Sequence, residues 1–252
     1  MNYHRKRMGP HVFPTRRAVG VHFRKWHIIV TLLVLIVPFV FLYFLSVASH
    51  IAPQFIFLDV GSSLARIAIA YAISAIAGFF LAVVLYKNRS STILLPLFDV
   101  AQSFPTFAAL PLAVMFWGAN EFTIILFLIF TMVWPIFFTV ISSLKLVHSE
   151  WEEAMEISEI KGWRYIWIFL IPASIPSLII GSIIALGDGW EALIATEIIV
   201  GIKQGFGPFF QSFSTNPKIT GFGIAGLLII VFVVNKLIWL PLLERSHKMH
   251  EE

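Results

Sequence analysis

Apolar runs of 18 residues or more, separated by short polar breaks, set the pattern of this chain. Six such runs occupy 28–45, 62–86, 92–117, 122–144, a stretch from 169 onward, and 222–243. A helix crossing the ~30 Å hydrocarbon core of a bilayer needs about 20 apolar residues, so each run predicts a transmembrane helix. The first run ends near Ser46-Val47-Ala48, which resembles a small-residue cleavage site. Signal-peptide apolar regions are only ~7–15 residues long, and this one reads as a retained helix.

The runs differ in texture. The second carries Ala65, Ala68, Ala72, Ala75 and Gly78, small residues that let helices approach closely, and predicts a helix packed inside the bundle. Arg66, near its end, is expected to snorkel to the interface. The third run holds Pro96, Pro105 and Pro111, with Asp99, Gln102 and Ser103 among them. Proline removes a backbone donor, and broken helices at membrane depth survive only against protein or a water-filled cavity. Pro135 predicts a kink in the fourth run. Gly187 and Gly189 make a break plausible in the fifth. Segments 49–61 and 201–221 read as outer loops, the latter rich in Gly and Pro.

Composition agrees. The chain is 58% hydrophobic and 13% charged, against ~25% charged in a soluble domain. It has no cysteine, which excludes disulfides, thiol nucleophiles and Cys-ligated zinc. With the N-terminus inside, fourteen Lys/Arg fall on inner segments and two, Lys203 and Lys218, on outer loops, as the positive-inside rule requires. The basic tail over 1–26 is therefore a topology signal and lipid contact, not a nucleic-acid site. His4, His11 and His22 lack a metal-ligand spacing. The division that results is a cytoplasmic tail over 1–26, a transmembrane domain over 27–244 and a cytoplasmic tail over 245–252.

One segment departs from this pattern. Residues 145–168 carry Glu150, Glu152, Glu153, Glu156 and Glu159, then Lys161 and Arg164. As a helix over 151–167, Glu152, Glu156 and Glu159 form an acidic stripe, with Ala154, Ile157 and Trp163 on an apolar face. Interfacial anchors favour Lys and Arg on the polar face. An acidic one is better matched to a basic groove on a protein partner.

This segment resembles the cytoplasmic signature of the membrane-spanning permease subunits of binding-protein-dependent ABC importers: E-A-A, three residues, G, nine residues, I-x-L-P. Glu153-Ala154-Met155 matches E-A-A, and the spacing to Phe169-Leu170-Ile171-Pro172 is kept, with Pro176 beyond. Met155 replaces the second alanine, and Glu159 stands in place of the glycine, with Gly162 three residues later. The departure bears on the local turn. Gln102-Ser103-Phe104-Pro105, Leu110-Pro111-Leu112, Phe116-Trp117-Gly118, Trp190 and Ala195-Thr196-Glu197 are similar to the nitrate/sulfonate/taurine branch.

The resemblance implies an all-α polytopic membrane protein of about six transmembrane helices, like a type I ABC importer permease, with a coupling helix between spans four and five. It implies two copies of an ATPase subunit, a second permease subunit (another copy or a different chain), an extracytoplasmic solute-binding protein and a prokaryotic inner membrane. Glu153, Ala154, Met155, Glu156, Glu159, Gly162 and Pro172 would then form the ATPase-coupling segment. The chain has no G-x-x-x-x-G-K-[ST] loop, so ATP chemistry belongs to a partner, and no catalytic residue, cofactor or metal is expected here.

Ionisable residues at membrane depth are costly and functional by default. Asp99 and Gln102 are three apart, as are Asp188 and Glu191, and with Ser103 these form the candidate solute pathway. Glu197 lies about 180° from Asp188 around an unbroken helix. A gradient-driven secondary transporter using the carboxylates is the alternative, but it leaves the acidic insert unexplained. A membrane-embedded enzyme would need a catalytic or metal cluster at membrane depth, and His50 is the sole histidine near an outward-facing span boundary.

Overall fold

The structure, a computed structural model, describes residues 22–147 and 149–251, with side chains for 31–147, 151, 153–244 and 246. Residues 1–21 of the expected basic tail, and most side chains of the 245–252 tail, lie outside these. Among the described residues every element is a helix. They are α1 His22–Ser49, α2 Pro53–Tyr86, α3 Ser91–Gln102, α4 Thr106–Trp117, α5 Glu121–Lys145 and α6 Ser149–Ile157. Then follow α7 Trp163–Val200, α8 Phe206–Ser212 and α9 Pro217–Glu244, which continues to Glu251. Five are long and apolar enough to cross a membrane. The α3–α4 pair, bent by 84° across a short break, passes the same test only when taken together, as one broken span or a re-entrant loop, which makes five to six candidate membrane helices. The protein is an all-helical, multi-pass membrane protein.

Helix α5 is the centre of the bundle, packed along its length between α2 and α7. Its Ile124, Leu128, Met132, Ile136, Phe137 and Val140 are fully enclosed. The α2 backbone reaches it through Gly78, where an added Cβ would lie 3.0 Å from the Val133 carbonyl oxygen. The α7 backbone reaches it through Gly181, where a Cβ would strike the Thr139 hydroxyl. In a bilayer, where no hydrophobic force separates helix from lipid, such close approach supplies the packing that joins helices. Helices α1 and α9 pair outside this trio, and α4 leans on α5 and α7.

Four expectations are corrected. Helix α2 begins at Pro53, so most of the outer loop expected over 49–61 is helical. Proline is pre-organised for the first helical turn, and Ile56 and Val60 add buried contacts there. The packed face of α2 is Ser63, Ala70, Ser74, Gly78 and Ala82, while Ala65, Ala68 and Ala72 are exposed. The buried face is the one whose hydroxyls find partners, Ser63 on Glu197 and Ser74 on the Ile129 carbonyl. Helix α7 runs unbroken through Gly187 and Gly189. Gly189 serves contact with Met132 instead, whose Sδ would lie 2.9 Å from an added Cβ. The expected outer loop over 201–221 contains α8 and the first turn of α9.

Candidate functional site

The predicted irregularity of the third span is real, and it shapes a cavity. Helix α3 ends at Gln102, and the chain turns through Ser103–Pro105 into α4. The Ser103 hydroxyl donates to the Asp99 carbonyl at 3.0 Å, closing the end of α3. The Gln102 amide donates to the Asp99 carboxylate at 2.8 Å. Below this break lies a cavity of about 280 Å³. Gln102, Thr106 and Phe107 line it from the bend, Thr131, Trp134 and Pro135 from α5, and Asp188 and Glu191 from α7. Three of the five sequence-predicted pathway residues therefore share one cavity. Asp99 touches it through Gln102, and Ser103 is engaged with its own helix.

Helix α6 stands apart from the bundle. Its Trp151, Glu153, Ala154, Glu156 and Ile157 are exposed, Ile157 by 83%, and Met155 alone among its described side chains packs inward. The continuous helix expected over 151–167 is not formed, and the acidic stripe is interrupted after Glu156. The Ile160 amide donates to the Met155 carbonyl at 3.0 Å and the Glu159 amide to the Glu156 carbonyl at 3.0 Å. This is a Schellman ending, with Glu159 as its left-handed residue at φ 53°. The turn that the missing glycine put in question is kept, by a glutamate. Gly162, at φ 60°, then starts α7. Met155, Glu156, Ile160, Lys161, Gly162 and Tyr165 form a cleft with Lys87, whose ammonium lies 5.0 Å from the Tyr165 ring centre. Pro172 sits in the first turn of the α-helical part of α7, after a π-helical turn over Ile166–Leu170.

At the opposite end of the bundle is a cluster that sequence reading missed. Arg66, only 6% exposed, does not snorkel. Its Nε and Nη2 donate to the two Glu121 carboxylate oxygens at 2.6 and 2.7 Å. Its Nη1 donates to Glu197 at 2.7 Å and to the Gln204 carbonyl at 2.9 Å. Glu197, fully buried, also accepts from the Ser63 hydroxyl at 2.8 Å and the Gly207 amide at 2.8 Å. The Asp59 carboxylate accepts the Gly205 amide at 3.0 Å. Burying charge requires such pairing: the enclosed Glu197 carboxylate is met by Arg66, and its two oxygens also accept from Ser63 and Gly207. Arg66, Glu121 and Glu197 all fall near span ends on one side of the predicted topology, which is the signal that could have paired them.

A family model described as binding-protein-dependent transport system inner membrane component matches residues 74–246. The chain belongs to this family. The match runs from the middle of α2 to the end of α9, so it contains the α3–α4 cavity, α6 and Glu197. The chain is 28% identical over 149 residues to a bicarbonate transport system permease protein of Synechococcus elongatus, covering 59% of the chain and 54% of that protein. It is 27% identical over 188 residues to a nitrate import permease protein of Leptolyngbya laminosa, covering 71% and 67%. It is 28% identical over 146 residues to a taurine transport system permease protein of Escherichia coli, covering 56% and 52%. The alignments thus span about half to two thirds of these relatives, which are transport permeases, the branch that the third-span residues resemble.

Proposed function

We propose that this chain is the membrane-spanning permease subunit of an ATP-driven importer. It forms the solute pathway and takes its driving force from a separate ATPase through α6. The observation that carries this reading is α6 itself, a short acidic helix between two membrane spans whose Ile157 and Trp151 are left exposed among the described residues. An apolar strip rimmed by Glu153 and Glu156 suits a groove with basic edges on a partner. The tight Schellman ending and the cleft around Met155, Ile160 and Tyr165 hold α6 against the base of α7, so that motion of one is felt by the other.

The Lys/Arg distribution favours α6 and both chain ends in the cytoplasm of a prokaryotic cell, in its inner membrane. The assembly is two permease subunits, identical or different, with two ATPase copies and an extracytoplasmic binding protein delivering the solute. Asp188, Glu191 and Gln102, with Asp99 behind Gln102 and Ser103 at the bend, line the pathway. A transporter driven by an ion gradient through these carboxylates would have no use for α6.

Gentle purification from the native membrane, with partners identified by mass spectrometry, tests the reading. Recovery of a roughly equimolar P-loop ATPase is expected, lost when Glu153 and Ala154 are both replaced by Arg. Recovery of the chain alone, under conditions that preserve known complexes, contradicts it.

A further inference from the structure

The α3–α4 cavity carries charge of one sign. Asp188 and Glu191 face it from successive turns of α7, and no Lys, Arg or His among the described residues lines it. The arginine that lies at membrane depth cannot answer them, because Arg66 is committed to Glu121, Glu197 and the Gln204 carbonyl at the far end of the bundle. Two like charges one turn apart in a partly desolvated space are destabilising until a counter-charge arrives. The rest of the lining is chemically specific. The aromatic side chains of Trp134 and Phe107 border the same space, and the face of an indole or phenyl ring attracts cations. Gln102 and Thr106 add neutral hydrogen-bonding groups. Carboxylates beside aromatic side chains favour an ammonium group over an anion.

We infer that the solute crossing this cavity is a small molecule bearing an ammonium group, a cation or a zwitterion that presents its positive end to Asp188 and Glu191. The inference rests on the importer reading of the cavity. The volume of about 280 Å³ lies at the lower edge of the ~300–1,000 Å³ typical of ligand sites, which suits a compact solute. The bicarbonate and nitrate in the names of two relatives are anions, whereas the taurine in the name of a third is a zwitterion with an ammonium group.

The test uses the full chain in lipid nanodiscs, with whatever partners co-purify. A hydrophobic carbodiimide labels membrane carboxyls, and mass spectrometry reads the adduct on Asp188 and Glu191. Tetramethylammonium chloride is the probe, compared with sodium chloride and sodium nitrate at equal ionic strength. Labelling of Glu191 is expected to slow at least threefold with tetramethylammonium and to be unchanged by nitrate. In Asp188→Asn, exposed and without a buried partner to lose, that protection falls by at least half. Slowing by nitrate, or equal labelling under all three salts, overturns the inference. The labelling is read on this chain whether or not an ATPase is bound. A chain that purifies alone but shows cation protection therefore contradicts the coupling reading and leaves this one standing.

Discussion

Glu159 holds a backbone conformation that L-residues avoid, with φ of 53°, at the position where a Schellman ending usually has glycine. Left-handed backbone costs an L-residue about 1–2 kcal/mol. Glu159→Gly is therefore expected to stabilise the folded chain by about 1 kcal/mol, read as a higher midpoint in detergent thermal unfolding. A lower midpoint would show that the carboxylate itself holds the turn. The buried cluster behaves oppositely. Arg66→Ala strands the enclosed Glu197 carboxylate, and removing one partner of a buried pair costs about 3–5 kcal/mol. Glu121→Gln should cost about 1 kcal/mol or less, because the Glu121 side chain is 58% exposed and its pair is solvent-screened. Equal losses for the two variants would mean that the cluster does not anchor the helix ends as described. Both features were only partly legible in the sequence. Glu159 was marked by standing where the motif has glycine, but its φ was not; three charges near span ends on one side hinted at the cluster, but a pairing between residues 131 positions apart leaves no local pattern.

The helices themselves were far more legible, because a bilayer demands long apolar runs and allows few alternatives. Five of the expected spans are single long helices and the third is the bent α3–α4 pair, with its bend at Ser103–Pro105 where the third-span prolines and polar residues crowd together. Element boundaries were less legible. The start of α2 was hidden by Gln54 and Asp59, polar residues that end an apolar run, although Asp59 is used to hold Gly205. The packed face of α2 was misread because small size permits contact on any face, and only the partner helix selects one. Helix α7 illustrates the same selection. Gly181→Leu should force α7 away from Thr139 and the α5 backbone and destabilise the bundle by about 1–3 kcal/mol. Gly187→Ala, with nothing within 4 Å of the added Cβ, should be neutral or slightly stabilising. Thermal unfolding of the pair, side by side, checks this; similar midpoints would contradict the packing role assigned to Gly181.

Taken as one body, the molecule has a rigid trio, α2, α5 and α7, locked at one end by the Arg66 cluster. At the other end it presents α6. Between them, on the α5–α7 side, lies the acidic cavity against the broken third span. A lever joined to a firm bundle at the base of α7 is the arrangement that an external motor would need. The absence of cysteine allows a direct test, since a single introduced thiol reports unambiguously. Ile157→Cys places that thiol on the exposed face of α6. In the purified assembly, a thiol–amine cross-linker should join this chain to the ATPase subunit in a single adduct whose yield changes on ATP addition. An adduct only between copies of this chain, or none with an ATPase known to be present, would contradict the coupling role of α6.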